Sequence, residues 1–247
     1  MVDIFYSIGL GLIAGLIPVY LGLLPLPFFR RLSPSGRNLL ISFSIGILLF
    51  LFVDVMGESM ELAGKIGLGS FIFTLGLVSG LMGPFLISSR RHVAGLQSSV
   101  DTTNAKFFTA YIISVGIGLH NLGEGLALGA TYAAGQIGLT TVLVIGFALH
   151  NGTEGVAVSG PISEIPISIK KLLLLGFIAG FPTIVGSVIG FLAYSDLIGA
   201  LFFSAAAGAL LYVIVELLGR AHSSKGTFSG ILIGILTMYF TDLLLST

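Results

Sequence analysis

Polar residues divide the chain into eight apolar stretches, at about 4–24, 39–60, 66–88, 107–133, 137–160, 170–194, 197–219 and 227–246. Each is close to the roughly 20 residues an α-helix needs to cross a bilayer core of about 30 Å. The breaks between them are short: Arg30 to Arg37, Glu61 to Lys65, Ser88 to Lys106, Gly135 to Gly138, Pro161 to Lys170, Tyr194 to Asp196 and Arg220 to Lys225. The first stretch lacks a basic leading segment and carries Pro18, with Pro25 just beyond it, so it reads as a retained span rather than a cleaved signal. The pattern predicts an all-α membrane protein of eight transmembrane helices, forming one transmembrane domain over residues 1–247.

Basic residues give the expected orientation, because Lys and Arg stay in cytoplasmic loops. Loop 1–2 holds Arg30, Arg31 and Arg37; loop 3–4 holds Arg90, Arg91 and Lys106; loop 5–6 holds Lys170 and Lys171; loop 7–8 holds Arg220 and Lys225. That is ten of the eleven basic residues, with only Lys65 on the other side. Both termini are therefore expected outside, in a multi-pass protein of the cell membrane. Asp3, Glu61, Asp196 and Asp242 fall on the same outer side.

Composition narrows the function classes. Charged residues make up 9% of the chain and mean hydropathy is +1.08, against about 25% charge in an average soluble domain, which excludes a water-soluble globule. Lys plus Arg equals Asp plus Glu at 11 each, so no basic surplus exists to neutralise nucleic-acid phosphates. The absence of Cys removes disulfides, thiolate nucleophiles and Cys-ligated metals. The 35 Gly suit membrane helices that pack closely through small residues.

The chain also repeats itself. Gly116-x-x-Leu119-His120-Asn121-x-x-Glu124-Gly125-x-Ala127 in the fourth stretch returns in the fifth as Gly146-x-x-Leu149-His150-Asn151-x-x-Glu154-Gly155-x-Ala157. A weaker match relates stretch 2 to stretch 7, pairing Gly46 with Gly208, Leu48 with Leu210, Val53 with Val215, Asp54 with Glu216 and Gly57 with Gly219. Ile13-Ala14-Gly15 before Pro18 returns as Ile178-Ala179-Gly180 before Pro182, once one residue is gapped. These matches suggest a 3+2+3 layout in which stretches 1–3 correspond to 6–8. Partners five spans apart cross the membrane in opposite directions, which makes the repeat inverted. Transporters so built usually hold their substrate near the midplane.

His120 and His150 fall near the middle of their stretches, and each is followed four residues later by a glutamate. Positions i and i+4 lie on one helix face, so each pair presents a nitrogen and a carboxylate toward a common point. An acid near a helix centre costs about 2.5–3.5 kcal/mol, so two cost roughly 5–7 kcal/mol, comparable with a domain's net stability. No Lys or Arg lies deep in either stretch to neutralise them. A divalent cation meets the need, and imidazole with carboxylate suits zinc, iron, manganese or cadmium. The plainer reading makes both pairs helix-packing hydrogen bonds with the glutamates protonated; recurrence at matching depth favours the metal. Asn121 and Asn151 are candidates for further ligands or for interhelical donors. Gly125 and Gly155 most simply allow close helix approach.

Asp54 and Glu58 lie one turn apart toward the outer end of stretch 2, and Glu216 near the inner end of stretch 7. They form candidate collecting and releasing carboxylates along a transport path, against simple solvation at the interface. His92 and His222 read as solvated inner-loop residues, and Met56 and Met60 as packing.

The paired His-Asn-x-x-Glu-Gly segments resemble the signature of the ZIP family of divalent metal transporters, whose fourth and fifth spans carry such motifs. The resemblance extends over the whole chain, with Val53-Asp54-Val55-Met56-Gly57-Glu58 and Val215-Glu216-Leu217-Leu218-Gly219 similar to the family's second and seventh spans. It implies uptake of zinc into the cytoplasm, often also iron, manganese or cadmium, by alternating access, with spans 1, 4, 5 and 6 moving as a bundle and homodimers common. The metal is then the transported substrate, not a catalyst, and the protein is not an enzyme. Three departures stand out. Gly123 and Thr153 occupy positions where the family often has Pro, so any kink falls to Gly123 or Gly152. Phe181 precedes Pro182 where members with two adjacent sites have a glutamate. Asn151 stands where some members have an acid. Only the site of His120, Glu124, His150 and Glu154 carries over directly. Two other classes fit less well: an intramembrane metal hydrolase, for which no HExxH or spare base is present, and a proton-coupled transporter of another solute with histidine proton carriers.

Overall fold

The structure, a computed structural model, describes residues 2–93, 102–193, 195–219, 221 and 225–243. It is helical, with no strand among the described residues. A membrane interior dictates that choice, since helices satisfy their backbone polar groups internally where no water can. The first span is interrupted: α1 (Val2–Gly11), a π-helical turn (Leu12–Leu16), α2 (Ile17–Leu23) and the short α3 (Leu26–Phe29). Then follow α4 (Pro34–Gly64), α5 (Gly69–Val93), α6 (Thr102–Ala133), α7 (Ile137–Ile162), α8 (Ile169–Ala193), α9 (Asp196–Leu218) and α10 (Lys225–Leu243). Among the described residues, seven spans are long and apolar enough to cross a membrane, Ile4–Phe29 being the first; in α10 the apolar part, Gly226–Thr241, is shorter.

Several helices overrun the apolar stretches. At the start of α4, Ser33 accepts the Gly36 N–H and Pro34 takes the first turn, where its missing N–H costs nothing. Arg37, expected in a break, is therefore helical, and so is Glu61 near the other end of α4. The third helix runs on to Val93, so His92 lies on a helix rather than in a loop; its side chain, and all of His222, fall outside the described residues. Neither α6 nor α7 is interrupted at Gly123 or Gly152, so the structure gives these glycines no break to explain. Gly135, with φ 71°, lets the chain reverse between them within three residues.

Large apolar side chains such as Phe5, Leu21, Phe71, Ile145, Phe181 and Phe228 point outward, while polar ones cluster inside. Hydroxyls within helices bond back to the carbonyl a turn earlier, as Ser44 to Leu40, Ser114 to Ala110 and Ser204 to Ala200. The interior is built by α4, α6, α7 and α9, with Ile45, Leu48, Leu51, Ile113, Ile117 and Leu210 fully buried.

Small residues set the pairing. A Cβ on Gly125 would lie 2.2 Å from the Thr183 carbonyl oxygen of α8, and one on Gly155 would lie 2.3 Å from that of Val19 in α2. Helix backbones touch at these two points, so the close-approach reading of both glycines holds. Likewise Gly46 of α4 abuts Gly234 of α10, and its repeat counterpart Gly208 of α9 abuts Gly80 of α5. The π-turn falls at the residue gap between the Ala14 and Ala179 segments, and its widened ring is closed by the Ile17 N–H bonding to the Leu12 carbonyl.

Candidate metal site

The repeat brings its two clamps face to face. His120 and Glu124 project from α6, His150 and Glu154 from α7, and none of the four is more than 4% exposed. The two Nε2 atoms stand 3.3 Å apart. Glu124 Oε1 is 3.4 Å from His120 Nε2 and 3.9 Å from His150 Nε2; Glu154 Oε1 is 3.8 Å and 3.6 Å from the same atoms. One ligand atom each from His120, Glu124 and His150 lies within 4.8 Å of the other two, and Glu154 reaches the same pair of ring nitrogens.

Both asparagines sit in the same layer, fully buried. Asn121 donates from Nδ2 to the Ala179 carbonyl of α8 at 3.0 Å. Asn151 donates to the Ala14 carbonyl of the π-turn at 3.0 Å and to Glu124 Oε2 at 2.8 Å. Pro18, four residues after Ala14, has no N–H to give that carbonyl in α-helical fashion, and the asparagine supplies a donor. Both amides thus serve as interhelical donors, while their Oδ1 atoms remain without a hydrogen-bond partner. So do both Glu154 oxygens and both histidine Nδ1 atoms. A buried polar atom left unpaired costs about 1–3 kcal/mol, more when charged. This concentration of unpaired oxygens beside two imidazoles is what a divalent cation would relieve, so the donor set fits a metal ion.

The three acids outside the clamps are placed differently. Asp54, half-buried on α4, is near enough to act electrostatically on His120 and on Glu58. Glu58, one turn on, is exposed and within electrostatic range of Glu124. The two make a run of carboxylates from the end of α4 toward the clamps. Glu216 lies half-buried near the end of α9 and is not in the converging group. Phe181 stacks on Phe177 at the outer face of α8, so α8 contributes a carbonyl to this layer and no carboxylate from that position.

Two neighbours escaped the sequence reading. Phe203 of α9 packs beside His120, with ring centroids 6.3 Å apart. Thr153 bonds to the buried sulfur of Met238 in α10 at 3.0 Å. Neither carries a local signal, because a single aromatic or methionine in an apolar helix looks like any other. The Ala14 carbonyl could have been found, since Pro18 marks it as lacking its α-helical donor.

A buried cluster of paired imidazoles and carboxylates among these membrane-spanning helices defines a membrane protein with a candidate metal site. The sequence model of the ZIP Zinc transporter family matches residues 88–242, more than half of the chain. This chain belongs to that family, whose members are divalent metal transporters rather than enzymes. A search of the curated proteins gave no match.

Proposed function

We propose that this protein takes zinc into the cytoplasm, holding the ion near the membrane midplane between His120, Glu124, His150 and Glu154. The observation that carries the reading is the approach of both Nε2 atoms to each other and to one oxygen of each glutamate. Two nitrogens and two carboxylate oxygens suit four-coordinate zinc, which has no geometric demand beyond what such a set offers. The free Oδ1 atoms of Asn121 and Asn151 are further oxygens for a substrate that takes more than four ligands.

Asp54 and Glu58 collect the cation from the outer side and Glu216 receives it on the inner side. The exposure of Glu58, together with its reach to Glu124, supports the first part. The distribution of Lys and Arg supports outer termini and hence inward transport. The corresponding contacts of repeat partners support a 3+2+3 inverted repeat within one transmembrane domain. Asn121 bonds Ala179 as Asn151 bonds Ala14, and Gly46 meets α10 as Gly208 meets α5. Alternating access then follows from exchanging the roles of two like halves about a central site.

The ligands do their work by shedding protons: imidazole must be neutral and carboxylate ionised to bind. Zinc binding therefore releases protons, and apparent affinity falls as the medium is acidified. Reconstituted in liposomes, folded Glu124→Ala and Glu154→Ala variants are expected to reduce labelled zinc uptake to the protein-free background. Near wild-type uptake by both would overturn the reading.

A further inference from the structure

The geometry points to Phe203 as a specificity-determining residue, an apolar wall that keeps the bound ion at low coordination number and so favours zinc over cations that demand more oxygen ligands. The inference rests on reading the His/Glu cluster as the transport site. Phe203 lies on α9 and is 6% exposed. One turn to either side, that helix carries Gly199, Ala200, Ala206 and Ala207, all buried and small. The phenyl ring is a bulky group next to these small ones, and it is turned toward α6. It meets two things there. Its plane is tilted 52° to that of His120, at a centroid distance of 6.3 Å. Its edge rests on bare backbone at Gly123, where a Cβ would stand 2.2 Å from Cε1 and 2.3 Å from Cζ.

Gly123 lies between His120 and Glu124, so the ring is seated against the turn that carries both ligands. The proposal also gives a reason for glycine at this position: any side chain there would displace the ring. Elsewhere the layer is polar, with the amides of Asn121 and Asn151 close to the clamps. A water or added ligand approaching His120 from α9 meets a hydrocarbon edge with no donor or acceptor. Zinc is satisfied by four ligands. Manganese, magnesium and calcium prefer six or more, mostly oxygen and often water. A wall on one flank thus penalises the second group more than the first.

The test compares initial uptake of zinc and manganese by the full-length protein in liposomes. Phe203→Ala is expected to lower the zinc-to-manganese ratio about tenfold, mainly by gaining manganese, and Phe203→Leu to lower it less. An unchanged ratio overturns the inference, as does a folded Phe203→Ala protein that carries neither metal. If the alanine variant does not fold, Phe203→Leu alone decides by the same criterion. Gly123→Ala is expected to lower the ratio where Phe203 is present and to have little further effect beside Phe203→Ala. Equal effects in both backgrounds would show that ring and glycine do not act together, and would also overturn it. Wild-type protein that binds no zinc in calorimetry would instead defeat the transport-site reading. In that case the melting temperatures of wild type, Phe203→Ala, Gly123→Ala and the double variant still report whether the contact exists.

Discussion

The clamps on α6 and α7 have the same sequence motif and different surroundings. Glu124 is held: Asn151 donates to its Oε2 at 2.8 Å, leaving Oε1 toward the histidines. Glu154 accepts no hydrogen bond of normal length, although it is completely buried. The asparagines differ correspondingly, Asn151 donating to the Ala14 carbonyl and to Glu124, and Asn121 to the Ala179 carbonyl. Beside the clamps, α6 meets the ring of Phe203 at His120 while Thr153 of α7 meets the sulfur of Met238. The same motif thus has one carboxylate fixed by a short amide bond and one without such a bond. Under the proposed function, a fixed carboxylate would give the ion a defined seat, and a less tightly held one would let the site follow the ion as it is captured or released.

The sharpest way to break this contrast is at the imidazoles, where the two sides are alike. His120→Ala and His150→Ala are each expected to weaken zinc binding about 100-fold, the upper end of what loss of even an outer partner can do. Calorimetry in detergent should give similar values for the two; a large difference would mean that one histidine is not a ligand. The asparagines come next, and here the sides should part. Asn151→Ala is expected to weaken binding about tenfold, in the usual range for a group that orients a ligand, and Asn121→Ala by less. Equal losses would remove the distinction between a held and an unheld glutamate. The smallest effect is expected at Thr153→Val, which keeps shape and deletes the hydroxyl's bonds to the His150 carbonyl and the Met238 sulfur. It should cost about 0.5–1 kcal/mol or less, a shift of a few degrees in melting temperature at most, with zinc uptake retained.

Much of this was legible in the sequence because the membrane leaves few choices. A bilayer admits helices of a certain length, and the apolar stretches mark them wherever a polar break is sharp. The ends were less legible: α4 begins at Pro34 and includes Arg37, since Ser33 and Pro34 start a helix irrespective of where hydrocarbon begins. The third helix likewise passes Ser88 to reach Val93. At the site, the i, i+4 spacing foretold that each histidine would share a face with its glutamate. It could not foretell that Asn151 reaches Glu124, a residue of the other clamp, because that depends on how α6 and α7 turn toward each other. Phe203 was silent for a similar reason. Its meaning comes from Gly123 on another helix, 80 positions away in the chain.

The π-turn at Leu12–Leu16 bears on which changes of length the protein can survive. Removing one residue from a regular α-helix swings everything beyond the cut by about 100°. In the first span that would carry Ser7 away from the reciprocal hydroxyl bonds it makes with Ser187 of α8, or Val19 away from Gly155. A turn that already holds a surplus residue can lose one and become ordinary helix with both flanks in phase. Of all places to shorten this span, the irregular one is the place where both of its ends would keep their neighbours, at the expense of the Ala14 carbonyl's aim at Asn151.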